Sequence, residues 1–216
     1  MSVDEQRRPA RVKRLPREVR ERQILDAAVR VFSEHGYHNA SMDEISEVAG
    51  VSKPMIYAYL GHKEDLFAAC IRREATLLVE AIAGGVRAEA PPDMQLWHGL
   101  RAFFRFVGEQ RESWRVLHRQ ATSQGGPFSE ELMGMRGRAI NLVDALLVRS
   151  ATSHGVPTKS TEAMAVALVG AGESLADWWL DHPDVPEKTV ASWLMNLVWM
   201  GLGDLVDGTS WVPTPE

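Results

Sequence analysis

Apolar residues recur at helical spacing along most of the chain, and short polar or Gly- and Pro-rich segments separate the periodic stretches. The pattern contains no alternating strand stretch, internal repeat or low-complexity tract. Predicted long helices cover residues 18–35, 63–85, 94–110, 129–153, 160–181 and 187–207, a shorter helix covers 111–122, and two short helices lie between 41 and 60. The predicted fold class is therefore all-α, with about nine helices.

The most informative stretch, residues 41–67, predicts two short helices joined by a tight turn. Ser41 and Glu44 have the S-x-x-E spacing of a capping box, which begins the first helix. Gly50 tolerates positive φ and ends it. Ser52 caps the second helix, and Pro54 stands in its first turn, where the missing N–H costs little. Two short helices around such a turn form a helix-turn-helix, whose second helix enters the DNA major groove.

The outward face of the second helix has the chemistry that DNA contact requires. Ile56 and Leu60 are predicted to point inward. On the other face, tyrosine hydroxyls and lysine amines can bind phosphates, a small alanine allows close approach, and a methionine can contact a thymine methyl. The residues predicted to contact DNA in this domain are Ser41, Met42, Ser52, Lys53, Pro54, Met55, Tyr57, Ala58, Tyr59 and Lys63. The alternative is a helical corner of an unrelated α-protein.

The segment GVSKPMIYAYLGHKEDLF resembles the signature of the TetR family of dimeric transcriptional regulators. The positions that match in register are Gly50, Val51, Ser52, Tyr57, Tyr59, Lys63 and Leu66. Leu60 replaces the family's usual Phe, and Gly61 with His62 replaces a more polar pair. These departures affect packing and the start of the fourth helix more than DNA contact. The resemblance is specific for the DNA-binding module and nearly silent on the ligand.

The charge distribution extends this interpretation to the N-terminus. The net charge is -5, yet no acid lies in the basic run between Arg7 and Arg17. A basic arm ahead of a helix-turn-helix can reach phosphates or the minor groove, and the arm residues predicted to do so are Arg11, Lys13 and Arg14. The alternative is a solvated tail without DNA contact. The predicted domains are a basic arm over 1–17, a helix-turn-helix domain over 18–66 and a helical effector-binding and dimerisation domain over 67–216.

The last two helices are apolar around most of their circumference, which is typical of helices buried on more than one side. Glycines within them lower helix propensity, and close helix–helix approach would explain their presence. The TetR resemblance implies that these helices form a four-helix interface in a homodimer. The residues assigned to that interface are Leu168, Gly172, Leu175, Trp179, Leu194, Leu197, Val198, Gly201 and Leu205. The alternative is an ordinary monomer core.

The middle helices carry aromatic residues and methionines that can line an adaptable apolar cavity. The residues predicted to bind a ligand are Phe103, Phe104, Val107, Trp114, Leu117, His118, Met133, Arg136, Glu173 and Trp178. The resemblance implies a small hydrophobic effector, and the layout is similar to that of family members that respond to fatty acyl chains or acyl-CoA. For an acyl-CoA, the phosphates would need Arg101, Arg105 or Arg136 at the mouth. The alternative is that these side chains fill a plain core.

Composition and motifs narrow the function classes. Cys70 is the only cysteine, which excludes an internal disulfide and a cysteine-rich zinc site, and it is predicted to be a small buried group. No apolar run reaches the roughly 20 residues that span a bilayer, and no secretory signal is found, so a cytoplasmic protein without membrane contact is expected. Glu173 and Asp177 could share a helix face, but no Glu-x-x-His partner, nucleophile elbow or phosphate loop accompanies them. Neither an enzyme nor a cofactor is expected.

Two hypotheses for the function remain. The first is a TetR-like repressor that binds double-stranded operator DNA as a dimer and is released by a small hydrophobic effector. The second is a helix-turn-helix DNA-binding protein without an effector, controlled by a protein partner or unregulated. A formed apolar cavity above the fourth helix would favour the first hypothesis, and a filled bundle would favour the second.

Overall fold

The computed structural model describes residues 16–120, 126–153 and 160–206. Within these ranges there are nine α-helices and no strand, which confirms the predicted all-α class. The helices are α1 (Arg17–Asn39), α2 (Met42–Ala49), α3 (Lys53–Leu60), α4 (Lys63–Gly85), α5 (Pro92–Glu109), α6 (Arg111–Arg115), α7 (Gly126–Ser153), α8 (Thr161–Leu180) and α9 (Glu187–Val206). A π-helical turn, Val116–Gln120, follows α6. The predicted arm contacts Arg11, Lys13 and Arg14 lie outside the described residues.

Glycines end the first helices where the sequence predicts. Gly36 has a φ of 74° and interrupts α1 near its C-terminal end. Gly50 has a φ of 62° in the left-handed region after α2, and its N–H donates to the carbonyl oxygen of Glu47 at 3.0 Å. Residues with a Cβ rarely adopt this conformation, so glycine sets the tight turn between α2 and α3. Pro54 occupies the first turn of α3, as predicted.

The predicted side-chain caps of α2 and α3 are wrong in detail. Ser41 Oγ accepts the N–H of Asp43 at 3.1 Å, but among the described residues Glu44 makes no reciprocal bond to Ser41. The Glu44 carboxylate instead lies 2.9 Å from His35 Nε2 on α1. Ser52 holds the N-cap position of α3 without a capping hydrogen bond from its side chain to the described backbone. His35 on α1 therefore binds the Glu44 carboxylate, which the S-x-x-E pattern had assigned to the cap of α2.

Helices α1, α2 and α3 pack around one apolar core that also includes the first turns of α4. The side chains without exposed surface come from all four helices and include Ile24, Phe32, Ile45, Ile56 and Leu66. Removing such large apolar groups from water is the main source of stability for a domain of this kind. The second helix of the turn is thus held rigidly while its other face stays free.

Helix α4 connects this small domain to the rest of the chain. Near its start, Phe67 contacts Phe32 edge-on, with ring centroids 4.8 Å apart. Near its end, Leu78 and Ile82 line a cavity of the second domain. At roughly 1.5 Å per residue the helix is about 34 Å long, so one rigid element touches both domains.

Helices α5, α7, α8 and α9 pack with the distal part of α4 into a helical bundle. Phe104, Trp179 and Leu194 belong to its buried core. Trp179 lies against Gly108, where an added Cβ would come within 2.8 Å of the indole ring. The small residue therefore lets α8 approach α5 closely. In the ranges that the structure describes, no helix is long and apolar enough to cross a membrane.

Candidate DNA-binding surface and ligand cavities

The outward face of α3 presents most of the predicted recognition residues. Tyr57 is 38% exposed, and Ser52, Pro54 and Ala58 are exposed around it. Met55 is half-buried on the same helix. A face of small, hydroxyl-bearing and aromatic side chains on a rigid helix has the shape and chemistry to approach a groove of DNA.

The two predicted lysines lie at the first position of α3 and just beyond its end, and both are held by partners in their own domain. Lys53 Nζ lies 2.9 Å from Asp43 Oδ1, and the hydrogen bond to Asp43 raises the pKa of this exposed lysine. Lys63 Nζ donates to the carbonyl oxygen of His38 at 3.0 Å and lies 5.0 Å from the centroid of the Tyr37 ring. Burial lowers the pKa of Lys63. Both ammonium groups therefore have defined positions beside the outward face.

Three residues that were predicted to contact DNA are less exposed than the outward face of α3. Met42 is 8% exposed and belongs to the three-helix core, so its assignment to DNA contact is wrong. Ser41 is half-buried, with its hydroxyl engaged at the start of α2. Tyr59 packs partly against the core, and the guanidinium carbon of Arg17 lies 5.3 Å from its ring centroid. Helical spacing alone does not reveal which of these side chains the neighbouring helices cover.

An apolar cavity of about 100 Å³, here named the α4–α5 cavity, lies between α4, α5, α7 and α8. This volume is several times the roughly 10–15 Å³ that one water molecule needs. Helix α4 supplies Leu78, Val79 and Ile82 to the wall. None of these three was predicted to line the site, although their spacing forms an apolar stripe. Further lining residues missed from the sequence include Leu96, Leu100, Ala139, Leu142, Leu146 and Val169.

A second cavity of about 230 Å³, here named the α6–α7 cavity, adjoins the first. It contains the predicted ligand residues Leu117, His118 and Met133, and Met133 is 62% exposed at its rim. Both cavities share part of their lining, namely Trp114, Met135, Arg136 and Glu173. The shared residues make the two cavities candidates for one continuous binding site.

An ion pair stands where the cavities meet. Arg136 Nε on α7 donates to the Glu173 carboxylate on α8 at 3.0 Å. Both side chains are only partly exposed, so this pair is less screened by solvent than a surface pair. The rest of the α4–α5 wall is apolar apart from the Trp114 indole N–H and Gln95, whose amide nitrogen donates to the carbonyl oxygens of Ala88 and Ala90. The polar contacts available to a ligand are thus concentrated at the junction.

Other ligand assignments are corrected by the structure. Phe103 lines the α4–α5 cavity as predicted, but Phe104 and Val107 are fully buried in the core and line neither cavity. Trp178 is 41% exposed and stacks on His182, with ring centroids 3.9 Å apart. On a helix packed on several sides, adjacent apolar residues face different neighbours, and the sequence does not say which face borders a void.

Two of the three arginines proposed for phosphate binding lie away from the cavities. Arg101 Nε donates to Glu187 Oε1 at 2.9 Å on α9. Arg105 borders a polar cleft between α1, α4, α5 and α6, which also contains Arg73 and Glu74. Arg136 alone among the three lies in the lining of either cavity.

The residues assigned to the dimer interface divide into two groups. Leu168 and Gly172 line the α4–α5 cavity, and Trp179 and Leu194 are buried in the core, so the interior of one chain already covers all four. By contrast, Leu197 is 71% exposed. Of the remaining assigned residues, Leu175 and Val198 are half-buried, and the surroundings of Gly201 and Leu205 lie outside what the structure describes.

Further large apolar side chains are exposed on the same two helices. They are Val166, Trp178, Trp193 and Trp199, with exposed fractions of 36% to 48%. Together with Leu197 they give α8 and α9 an apolar outer surface, which is unusual for a monomer surrounded by water. The apolar residues that surround these two helices therefore lie partly in the core and partly on the outer surface.

In the ranges that the structure describes, no group of three His, Cys, Asp or Glu side chains is arranged to hold a metal ion. Glu173, one of the spaced carboxylates, is paired with Arg136. The arrangement instead combines a rigid helix-turn-helix with a helical bundle that contains apolar cavities, joined by one long helix. This combination defines the chain as a helix-turn-helix regulator.

The chain belongs to the TetR family of bacterial regulatory proteins. Residues 24–70 match the profile described as "Bacterial regulatory proteins, tetR family". Residues 92–201 match the profile described as "Tetracyclin repressor-like, C-terminal domain". The family is one of DNA-binding transcriptional regulators, so the chain is a transcriptional regulator.

Individual relatives agree with this assignment. The chain is 45% identical to a TetR-like transcriptional regulator from Rhodococcus sp. RHA1, with a TM-score of 0.76 over 88% of this chain and 99% of that chain. It is 29% identical over 203 residues to the HTH-type transcriptional activator FasR of Mycolicibacterium smegmatis, covering 91% of each. FadR from Bacillus subtilis, solved in complex with stearoyl-CoA, shares the fold with a TM-score of 0.70 at 19% identity, over 82% of this chain and 96% of that chain.

Proposed function

We propose that this transcriptional regulator binds operator DNA as a homodimer, represses transcription, and is released when a small hydrophobic compound with a fatty acyl chain enters the cavities. The observation that carries the proposal is the α4–α5 cavity, because α4 both lines it and bears the start of the DNA-binding core. A ligand there contacts the same rigid helix that positions α3. The formed cavity also favours this function over an effector-free DNA-binding protein.

DNA contact is assigned to the outward face of α3 and the residues that flank it. Tyr57 supplies an exposed hydroxyl, and Ala58 allows close approach to the groove. Lys53 and Lys63 supply charge at the two sides of this face. Exchange of the Asp43 partner of Lys53 for a phosphate would release counterions and make binding depend on salt.

Dimerisation is assigned to the apolar outer surface of α8 and α9. Burial of Trp178, Trp193 and Leu197 against a second copy would remove a large apolar area from water. A helix-turn-helix dimer reads two half-sites about one DNA turn apart, or a multiple of it, so the interface also sets the spacing of the two α3 helices.

The acyl character of the effector is supported by the nature of the cavity and by the relatives. The α4–α5 wall is almost wholly apolar, which suits an alkyl chain. FadR from Bacillus subtilis binds stearoyl-CoA in its crystal structure, and a curated relative from that species is named a fatty acid metabolism regulator protein. We infer a fatty acid or acyl-CoA rather than a polar metabolite.

Activation is the second candidate for the regulatory outcome. It is favoured by the 29% identity to FasR, which is named a transcriptional activator. The two outcomes differ in the effect of the protein on transcription from a bound promoter, and not in how the protein binds DNA or effector.

The test begins with an operator selected from a random DNA library by the purified protein. Fluorescence anisotropy then measures the dissociation constant of that operator during titration with dodecanoate, dodecanoyl-CoA, stearoyl-CoA and decane-1,10-diol as a less hydrophobic control. Release by an acyl compound and not by the diol is the expected result. Failure of every acyl compound to change operator affinity would leave the effector-free hypothesis as the better one. In vitro transcription from the same operator separates repression from activation.

A further inference from the structure

Trp114 presents a buried hydrogen-bond donor that has no acceptor. The residue is 2% exposed and lines both the α4–α5 and the α6–α7 cavity. Its indole Nε1 has no hydrogen-bond partner among the described residues. A buried N–H without a partner is disfavoured, because it has lost water and gained nothing in return. Such a group beside a cavity is suited to a ligand that carries an acceptor.

Aromatic neighbours hold the indole ring in place. Phe103 contacts it edge-on, with ring centroids 5.3 Å apart and an interplanar angle of 82°. His118 stacks nearly parallel to it, at 5.1 Å and 10°. Because both neighbours come from the walls of the cavities, rotation of the indole towards another partner would disrupt the packing on either side. The N–H is therefore preorganised.

The surroundings of Trp114 restrict the kind of acceptor. Arg136 and Glu173, which line the same two cavities, already form a hydrogen-bonded pair, so the charge at the junction is balanced. A carboxylate placed there would face the Glu173 carboxylate and compete with it for Arg136. A neutral carbonyl oxygen adds no charge and can accept from an indole N–H. An alkyl chain attached to that carbonyl would fit the apolar α4–α5 wall.

We propose that Trp114 Nε1 donates a hydrogen bond to the neutral acyl carbonyl of the effector, with the alkyl chain extending into the α4–α5 cavity and the rest of the ligand extending outward through the α6–α7 cavity. Trp114 is then the residue that selects an acyl ester or thioester over a free fatty acid or an alkyl compound. The inference rests on the proposed binding of an acyl effector and specifies which group of it the protein recognises.

The test compares two ligands that differ only in whether the carbon bound to sulfur is a carbonyl or a CH₂ group. Dodecanoyl-CoA has the thioester carbonyl, and S-dodecyl-CoA is the thioether with the same chain length and headgroup. Isothermal titration calorimetry on the full chain is expected to give a dissociation constant about tenfold lower for the thioester, as a hydrogen bond to a preorganised buried donor predicts. In Trp114→Phe, which lacks the donor and keeps an aromatic ring, the two constants should differ by less than about twofold.

Trp179→Phe is the matched control. Trp179 is also a buried tryptophan, but its Nε1 donates to the carbonyl oxygen of Val185 at 2.7 Å and it lines neither cavity. This variant should keep the preference for the thioester. Circular dichroism verifies that both variants are folded.

Two further ligands distinguish the possible sources of the carbonyl. If methyl dodecanoate binds about as well as dodecanoyl-CoA, the ester carbonyl and the chain suffice for binding. If it binds much more weakly, the CoA part contributes. Either outcome supports the role of Trp114, provided that Trp114→Phe weakens binding of the carbonyl ligands. Equal affinity for thioester and thioether in the unaltered protein would overturn the inference while leaving the proposed function intact. Tighter binding of dodecanoate than of dodecanoyl-CoA would also overturn it, and binding of none of the acyl ligands would overturn both.

Discussion

Glu74 is 1% exposed on α4, at the boundary between the DNA-binding domain and the helical bundle. A buried carboxylate requires a charged partner, and Arg73 Nη2 lies 2.6 Å from Glu74 Oε1. Arg73 also reaches Asp26 on α1 at 2.7 Å. Burial opposes the charge of Arg73, but Glu74 and Asp26 outweigh it and raise the pKa of the guanidinium. The three charges therefore hold α4 against α1.

Replacing Glu74 with Ala should destabilise the protein by about 3 kcal/mol, because it leaves a partly buried guanidinium with only its weaker, exposed partner. Denaturant unfolding followed by circular dichroism measures the change. Glu80→Ala removes an exposed carboxylate from the same helix and should change the free energy of unfolding by no more than about 0.5 kcal/mol. Equal effects of the two substitutions would contradict the role assigned to the buried network.

Single residues could be predicted from the sequence where their chemistry alone decides their environment. Cys70 is fully buried, as expected for a small apolar group, and burial raises the pKa of its thiol. Met42 and Trp178 were assigned wrongly, because the first is covered by neighbouring helices and the second faces outwards. Whether such an apolar side chain is buried or exposed depends on the helices that pack beside it, and the residue type alone does not reveal them.

At the scale of elements, α3 is held on one side by Ile56 in the core and flanked by Lys53 and Lys63. The hydroxyl of Tyr57 and the amine of Lys53 differ in what they can offer to DNA. The hydroxyl can donate to a phosphate without changing the net charge, whereas the ammonium group neutralises a phosphate and releases counterions.

Tyr57→Phe should weaken operator binding by about five- to tenfold at every salt concentration, since one hydrogen bond is lost. Lys53→Ala should also weaken binding, but in addition it should reduce the slope of log affinity against log salt by about one unit. Fluorescence anisotropy between 50 and 200 mM salt separates the two effects. Lys188→Ala, an exposed lysine on α9, is the control and should leave both quantities unchanged. An unchanged slope in Lys53→Ala would remove that residue from the phosphate contacts.

The helices themselves were predicted well, because glycines and prolines mark their ends and apolar spacing marks their length. Gly36 and Gly50 adopt positive φ where helix ends were expected. The faces of α8 and α9 could not be predicted, since both helices are apolar almost all round. The structure turns Leu168 inward to the cavity and leaves Leu197 outside. Apolar periodicity identifies the inward face of a helix only when the opposite face is polar.

At the scale of the whole molecule, the apolar surface of α8 and α9 predicts a dimer. Leu197→Arg should yield a monomer with a native circular dichroism spectrum, because the side chain is 71% exposed in one chain and its replacement disturbs only an intermolecular contact. Sedimentation velocity at micromolar concentration measures the state of association. Leu77→Arg is the matched control, because Leu77 is 43% exposed on α4, outside the assigned interface, and this variant should remain dimeric. A monomeric parent protein would refute the prediction outright.

The proposed coupling between DNA and effector would involve both domains and the whole of α4. An effector acts only through its different affinities for the DNA-bound and free forms, so saturating dodecanoyl-CoA should weaken operator binding by a finite factor, of the order of 5 to 150. Operator DNA must then weaken dodecanoyl-CoA binding by the same factor. Anisotropy at rising effector concentration, and calorimetry with and without saturating operator, measure the two sides independently. If acyl-CoA instead competed through its phosphates for the outward face of α3, the operator dissociation constant would rise without reaching a plateau. A plateau, with equal factors from both titrations, therefore places the effector in a site separate from the DNA-binding surface.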